Sequence, residues 1–301
     1  MSVALEASAR VVLFVFVVTS MLSVGLRLTL PQILEPFRSA RLVLSAVTAN
    51  FVLVPLLAYF ITRIIAVDEP LAIGILLLGT GAGAPFLPKL AEFSRANTAF
   101  SVGLMVFLMA ATVVYMPIVL PLLLPVDHVS PWLVAKPLVT VMLAPLALGL
   151  LVRARKTTLA ARLEPYLRRA STIALILVII LVSGANFSNV AHTMSWNVIL
   201  AGAVLLLGSI GCGFALGGPS SDSRRILALG TAQRDFSAAL LVAVENFRNP
   251  AVVAVLIVVG LLGLCLQVPI ALAFGRRAVR ERRKDLRGRE NESTRRRELP
   301  S

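Results

Sequence analysis

Three charged side chains lie where the surrounding sequence is hydrocarbon. Lys89 follows "LLLGTGAGAPFLP", and Arg234 and Asp235 stand together inside "LALGTAQRDFSAALLVA". Each such charge at the centre of a membrane helix costs about 2.5–3.5 kcal/mol on insertion scales. All three must therefore face protein or water, and Asp235 is expected to pair with one of the two cations. Neutral polar groups accompany them: Gln233 beside Arg234, Asn50 in "TANFVLVP" and Ser101 in "FSVGLMVFLM". Two cations and one carboxylate among amides and a hydroxyl suit the binding of an anion. In that arrangement Asp235 balances charge and is available to take up a proton. The plainer reading is a buried ion pair that only locks helix packing. Glu92, one helical turn after Lys89, is also placed to satisfy that ammonium by itself.

Other chemistry has little to work with. The only histidines, His128 and His192, fall in short connections, and Cys212 and Cys265 lie in apolar runs. No disulfide framework, metal cluster, Ser-His-Asp set or pair of carboxylates within the spans follows from these positions. The expectation is a protein that is not an enzyme and that carries no cofactor.

The elements that must hold these residues are membrane helices. The chain has 301 residues, of which 58% are hydrophobic and 15% charged, against about a quarter charged in a soluble domain. A span needs about 20 mostly apolar residues. Nine stretches qualify, near 9–30, 41–65, 70–94, 98–124, 131–152, 167–187, 196–216, 224–247 and 250–275. With the N-terminus outside, only Arg10, Arg63, Lys136 and Arg248 fall in outer connections; with Lys89 and Arg234 inside spans, the other 23 of the 29 Lys and Arg are cytoplasmic. That asymmetry follows the positive-inside rule. It predicts a multi-pass protein of the cell membrane with its C-terminus in the cytoplasm. Residues 276–301, "RRAVRERRKDLRGRENESTRRRELPS", are expected to form a disordered basic tail resting on anionic lipids, not on nucleic acid. Trp132 and Trp196 open the fifth and seventh spans, as interfacial anchors do.

Two of the spans are interrupted. The third carries Gly79, Gly81 and Gly83 with Pro85 and Pro88; the eighth carries Gly230 and the run Gln233-Arg234-Asp235. "LGT" occurs in both, at Leu78-Gly79-Thr80 and Leu229-Gly230-Thr231. Each is followed by a short turn with Phe, Arg and Asn and then by a long apolar run. The third and eighth spans cross the membrane in opposite directions, which makes an inverted repeat of about 11–124 and 131–275. Secondary transporters use this plan, with the broken helices crossing at a binding site near the midplane. Unwound backbone is tolerated at that depth where it lines a cavity.

With these residues in view, the chain resembles the bile acid:sodium symporter family over about residues 11–275. "VTSMLSVGLRLTL" looks like the first shared helix, and "ANFVLVPLLAYFI" followed by "AIGILLLGTGAGAP" resembles the amide-containing span that leads into the glycine-rich broken helix. "LALGTAQRDFSAALLVA" is similar to the second broken helix. The resemblance implies a core domain containing both broken helices, a panel domain, and a substrate held between them. It also implies sodium held by oxygen ligands at the crossover. Asn50, Ser101 and Gln233 keep the family's polar type. Leu87 and Pro88 stand where the family has a Ser-Asn pair, Leu229 replaces an acidic residue, and Arg234 replaces an Asn.

The sodium cage is therefore expected to be degraded, with a fixed cation in its place. The reading that follows is an all-α, nine-span secondary transporter of a small organic anion. It would work by alternating access without sodium, or with a proton. Sodium symport through a rearranged site, and a membrane sensor or scaffold without transport, are the alternatives.

Overall fold

Apolar runs of this length fold as helices because a bilayer offers no partner for backbone N–H and C=O groups, and a helix satisfies them internally. The computed structural model describes residues 3–65, 67–124, 130–185, 195–247 and 249–298. Asn186, Asn189, His128, His192 and Arg248 lie outside the described residues. Those that are described are helical apart from turns, short connections and one isolated antiparallel bridge.

The helices are α1 (Val3–Arg27), α2 (Leu30–Leu34), α3 (Ala40–Thr48), α4 (Val54–Ile64), α5 (Glu69–Thr80), α6 (Leu87–Phe93) and α7 (Thr98–Leu123). There follow α8 (Pro131–Pro137), α9 (Ala144–Arg155), α10 (Thr157–Ala185), α11 (Trp196–Leu216), α12 (Ser221–Ala232), α13 (Phe236–Asn246) and α14 (Pro250–Glu298). Among the described residues, six stretches are long and apolar enough to cross a membrane: Arg10–Arg27, Ala40–Ile64, Thr98–Leu123, Pro131–Arg155, Trp196–Leu216 and Pro250–Glu281. The protein is an all-helical, multi-pass membrane protein. The helical backbone of α14 continues through the basic segment as far as Glu298.

Two long stretches contain a π-helical turn. Ala49–Leu53 joins α3 to α4 and Leu138–Leu143 joins α8 to α9, each just ahead of a proline, Pro55 and Pro145. Proline has no N–H and its ring collides with the carbonyl four residues back, so the helix must widen. For Pro55 that carbonyl belongs to Phe51, and the Tyr115 hydroxyl of α7 donates to it at 2.6 Å. The proline that bends the helix thus also leaves an acceptor that ties it to α7.

Helix α1 packs on α9 and α10, forming one group. In the other, α5 lies against α4 and α14, and α11 lies against α12 and α14. Trp132 and Trp196 sit in the first turns of α8 and α11 and are largely exposed.

Candidate functional site

Both expected breaks are present. α5 ends at Thr80 and α6 begins at Leu87; α12 ends at Ala232 and α13 begins at Phe236. The extended residues between the halves run antiparallel to one another. Ala82 bridges Arg234, and the Asp235 N–H donates to the Gly81 carbonyl at 3.1 Å. Gly81 closes α5 in an extended conformation, and Gly83 has φ +91. A Cβ on Gly83 would also run into the backbone of Met105 and Met109 on α7, so both backbone conformation and space require glycine there.

A half-helix that stops inside a membrane leaves its last carbonyls without partners, and these carry the negative end of the helix dipole. One side chain answers much of that demand. The Arg234 guanidinium donates from Nε to Leu78 O at 2.9 Å, from Nη2 to Gly79 O at 3.1 Å, and from Nη1 to Thr231 O at 2.8 Å. Nη1 also donates to Asn50 Oδ1 at 3.0 Å. Three bonds therefore go to the open ends of α5 and α12, and the fourth to the π-helical turn after α3. Asn50 is held by its own bonds, from Nδ2 to Ala46 O at 3.0 Å and to Thr231 Oγ1 at 3.4 Å. Arg234, Asn50 and Thr231 are all buried. The Ala232 carbonyl, also at the end of α12, accepts from Gln267 Nε2 of α14 at 3.1 Å.

The expected pairing of Asp235 with a cation is not formed. Its Oδ1 accepts from the Ala238 N–H at 3.1 Å, capping α13, and no carboxylate lies within salt-bridge reach of Arg234 among the described residues. The reason is local: consecutive side chains on extended backbone leave on opposite sides. Asp235 Oδ2, Gln233 Oε1 and Gln267 Oε1 are buried oxygens without a hydrogen-bond partner among the described residues.

Lys89 is not brought to the crossover. It lies half-exposed on α6, with Nζ 2.8 Å from Glu92 Oε2 and 5.1 Å from the centre of the Phe93 ring. The single turn that separates Lys89 from Glu92 decides its partner. Ser101 is buried in the first turn of α7 and donates to Thr98 O of its own helix at 2.7 Å. Of the polar residues expected at the site, Asn50, Gln233, Arg234 and Asp235 therefore meet at the crossover. Gly79 and Gly81 meet there too, through their carbonyls. Gly230 lies buried within α12, facing the Leu87 and Leu104 side chains. Leu87 and Leu229 are fully buried and bring hydrocarbon, not oxygen, to this region. Pro88 occupies the first turn of α6.

Two further groups hold the crossover and were not singled out from the sequence. The Thr112 hydroxyl of α7 donates to Ala82 O at 3.0 Å and accepts from Ala82 N at 2.9 Å, fastening the first break. Gln267 is the other. It is the one amide in the apolar run of α14, and that isolation is the signal that could have found it.

Comparison with known proteins gives one family. A model described as the Sodium Bile acid symporter family matches residues 12–193. No curated protein matches the chain. The matched stretch contains Asn50 and the first break, whereas the second break, with Arg234, lies beyond it.

Proposed function

The chain belongs to the sodium bile acid symporter family, and from that premise we propose a secondary active transporter of a small organic anion that does not use sodium at its crossover. The observation that carries the reading is the position of the Arg234 guanidinium. A hard cation such as sodium requires oxygen ligands. The Asn50 side-chain oxygen and the carbonyls of Leu78, Gly79 and Thr231 are such ligands, and Arg234 engages all four. A permanent positive charge tethered to the chain does there what a bound ion would do: it neutralises the open ends of two half-helices. Leu87, Pro88 and Leu229 supply no replacement ligands.

The nine-crossing, inverted-repeat reading counts the six long stretches, α10 and the two broken pairs α5/α6 and α12/α13. Each broken pair is followed by a long helix, α7 or α14, which supports the repeat. The much closer packing of α1 with α9 and α10 than with α13 supports a panel moving against a core. Preference for an anion rests on the family, because the crossover holds one arginine and one carboxylate. The unpartnered oxygens of Asp235, Gln233 and Gln267 favour a proton on Asp235 as the coupling ion.

Uptake of radiolabelled bile acids and small carboxylates into proteoliposomes tests the reading, with choline replacing sodium. Equal uptake in the two salts is expected. A strict sodium requirement would reinstate sodium symport through a rearranged site, and no flux of any probe under any gradient would favour a sensor or scaffold.

A further inference from the structure

Away from the crossover, three arginines converge on one groove without an anion to meet them. The groove has a volume of about 750 Å3 and lies between the end of α6 and the face of α14 that carries Arg276 and Arg280, with Arg95 on its other side. Glu92 also lines it, with its Oε2 2.8 Å from Lys89 Nζ. None of the three arginines has an ion-pair partner among the described residues.

The placement of Arg95 is costly. α6 ends in a turn in which the Ala96 N–H returns to Ala91 O at 2.9 Å, and the residue at the turn, Arg95, has φ 54. That left-handed position is ordinarily glycine, and a side chain there carries a strain that calls for a reason. Arg276 and Arg280 are four apart on α14 and so share a face, where like charges repel. α14 approaches the end of α6 so closely that a Cβ on Gly275 would overlap the Phe93 carbonyl, which fixes the two walls together. Close packing of α14 on the end of α6 thus sets Arg95, Arg276 and Arg280 along one opening, against backbone strain at the first and like-charge repulsion between the other two.

We propose that this groove binds the phosphate headgroup of an anionic phospholipid. Guanidinium forks match phosphate oxygens geometrically. The groove opens where the apolar run of α14 gives way to its arginines, which is the depth of lipid headgroups. Leu272, itself exposed, and Val279 flank the arginines and offer an apolar wall to an acyl chain. Basic pockets between membrane helices are suited to this ligand, in contrast to the diffuse attraction of a charged tail.

The test uses the full chain in nanodiscs and reads thermal unfolding and co-purified lipid. Phosphatidylglycerol in a phosphatidylcholine background should raise the Tm of the wild type and remain bound through purification. Arg276→Gln with Arg280→Gln should weaken retention at least about tenfold. Arg95→Gly separates a ligand role from a structural one. It should raise the Tm in pure phosphatidylcholine by relieving the backbone, yet reduce retention of phosphatidylglycerol. Replacing Arg295, Arg296 and Arg297 by Gln should leave retention unchanged. Equal retention by the Arg276/Arg280 variant would overturn the proposal, as would an effect of the distal replacements as large as theirs. Stabilisation by millimolar inorganic phosphate in phosphatidylcholine alone would overturn the lipid assignment in favour of a soluble phosphate.

Discussion

Arg234 Nη1 lies 3.0 Å from Asn50 Oδ1, joining the second break to the π-helical turn 184 residues earlier. The same guanidinium closes the carbonyl ends of α5 and α12, so removing it strands four buried acceptors. Each orphaned buried acceptor costs about 1–3 kcal/mol. Arg234→Ala is therefore expected to lose at least about 3 kcal/mol, read as a lowered Tm in detergent. Arg234→Lys should fall between the two, because an ammonium keeps the charge but not the planar fork. Equal stability of the Ala and Lys variants would mean that the hydrogen-bond geometry is immaterial.

The Thr112 hydroxyl holds both backbone groups of Ala82. Thr112→Val keeps the shape and removes both bonds, at an expected cost of about 2–4 kcal/mol. Thr112→Ser keeps the hydroxyl and should recover most of it. Thermal unfolding of the two variants side by side checks the order, and a Val variant as stable as the Ser variant would refute it.

Lys89 carries no weight at the crossover. Its pair with Glu92 is half-exposed, and such pairs contribute about 0–1 kcal/mol. Lys89→Ala should shift stability by less than about 1 kcal/mol and leave uptake close to that of the wild type. A variant that folds but loses uptake would return Lys89 to the site.

Gly83 and Gly211 make a matched comparison. At Gly83 an added methyl meets left-handed backbone and the main chain of α7, whereas at Gly211 it meets nothing within 4 Å. Gly83→Ala should cost more than about 1 kcal/mol. Gly211→Ala should be neutral or stabilising, since it replaces glycine by a better helix former. Protein yield and Tm distinguish the two.

Both breaks were legible in the sequence because glycine, proline and consecutive charges interrupt otherwise unbroken hydrocarbon. Asn50 was legible as a lone amide in an apolar span. The partner of Arg234 was not. Expecting Asp235 to pair with one of the two cations assumes that charges within the spans meet, whereas extended backbone sends Arg234 and Asp235 to opposite sides, the carbonyl ends compete for the guanidinium, and Lys89 pairs with Glu92. For Lys89 the sequence offered two partners: depth in the membrane pointed to the crossover and the three-residue spacing to Glu92, and in the structure the spacing decides. Thr112 was invisible because a threonine in an apolar helix ordinarily bonds back to its own helix, and only the tertiary structure brings Ala82 to it.

Sodium sensitivity of the protein itself tests most directly whether Arg234 stands in for a bound ion. Thermal unfolding is measured for the wild type and for Arg234→Asn in sodium chloride and in choline chloride at equal ionic strength. The same Tm in both salts is expected for the wild type, and a sodium-specific rise for Arg234→Asn, whose emptied carbonyl cluster again offers oxygen ligands to a hard cation. A sodium-specific rise in the wild type would contradict that role of Arg234.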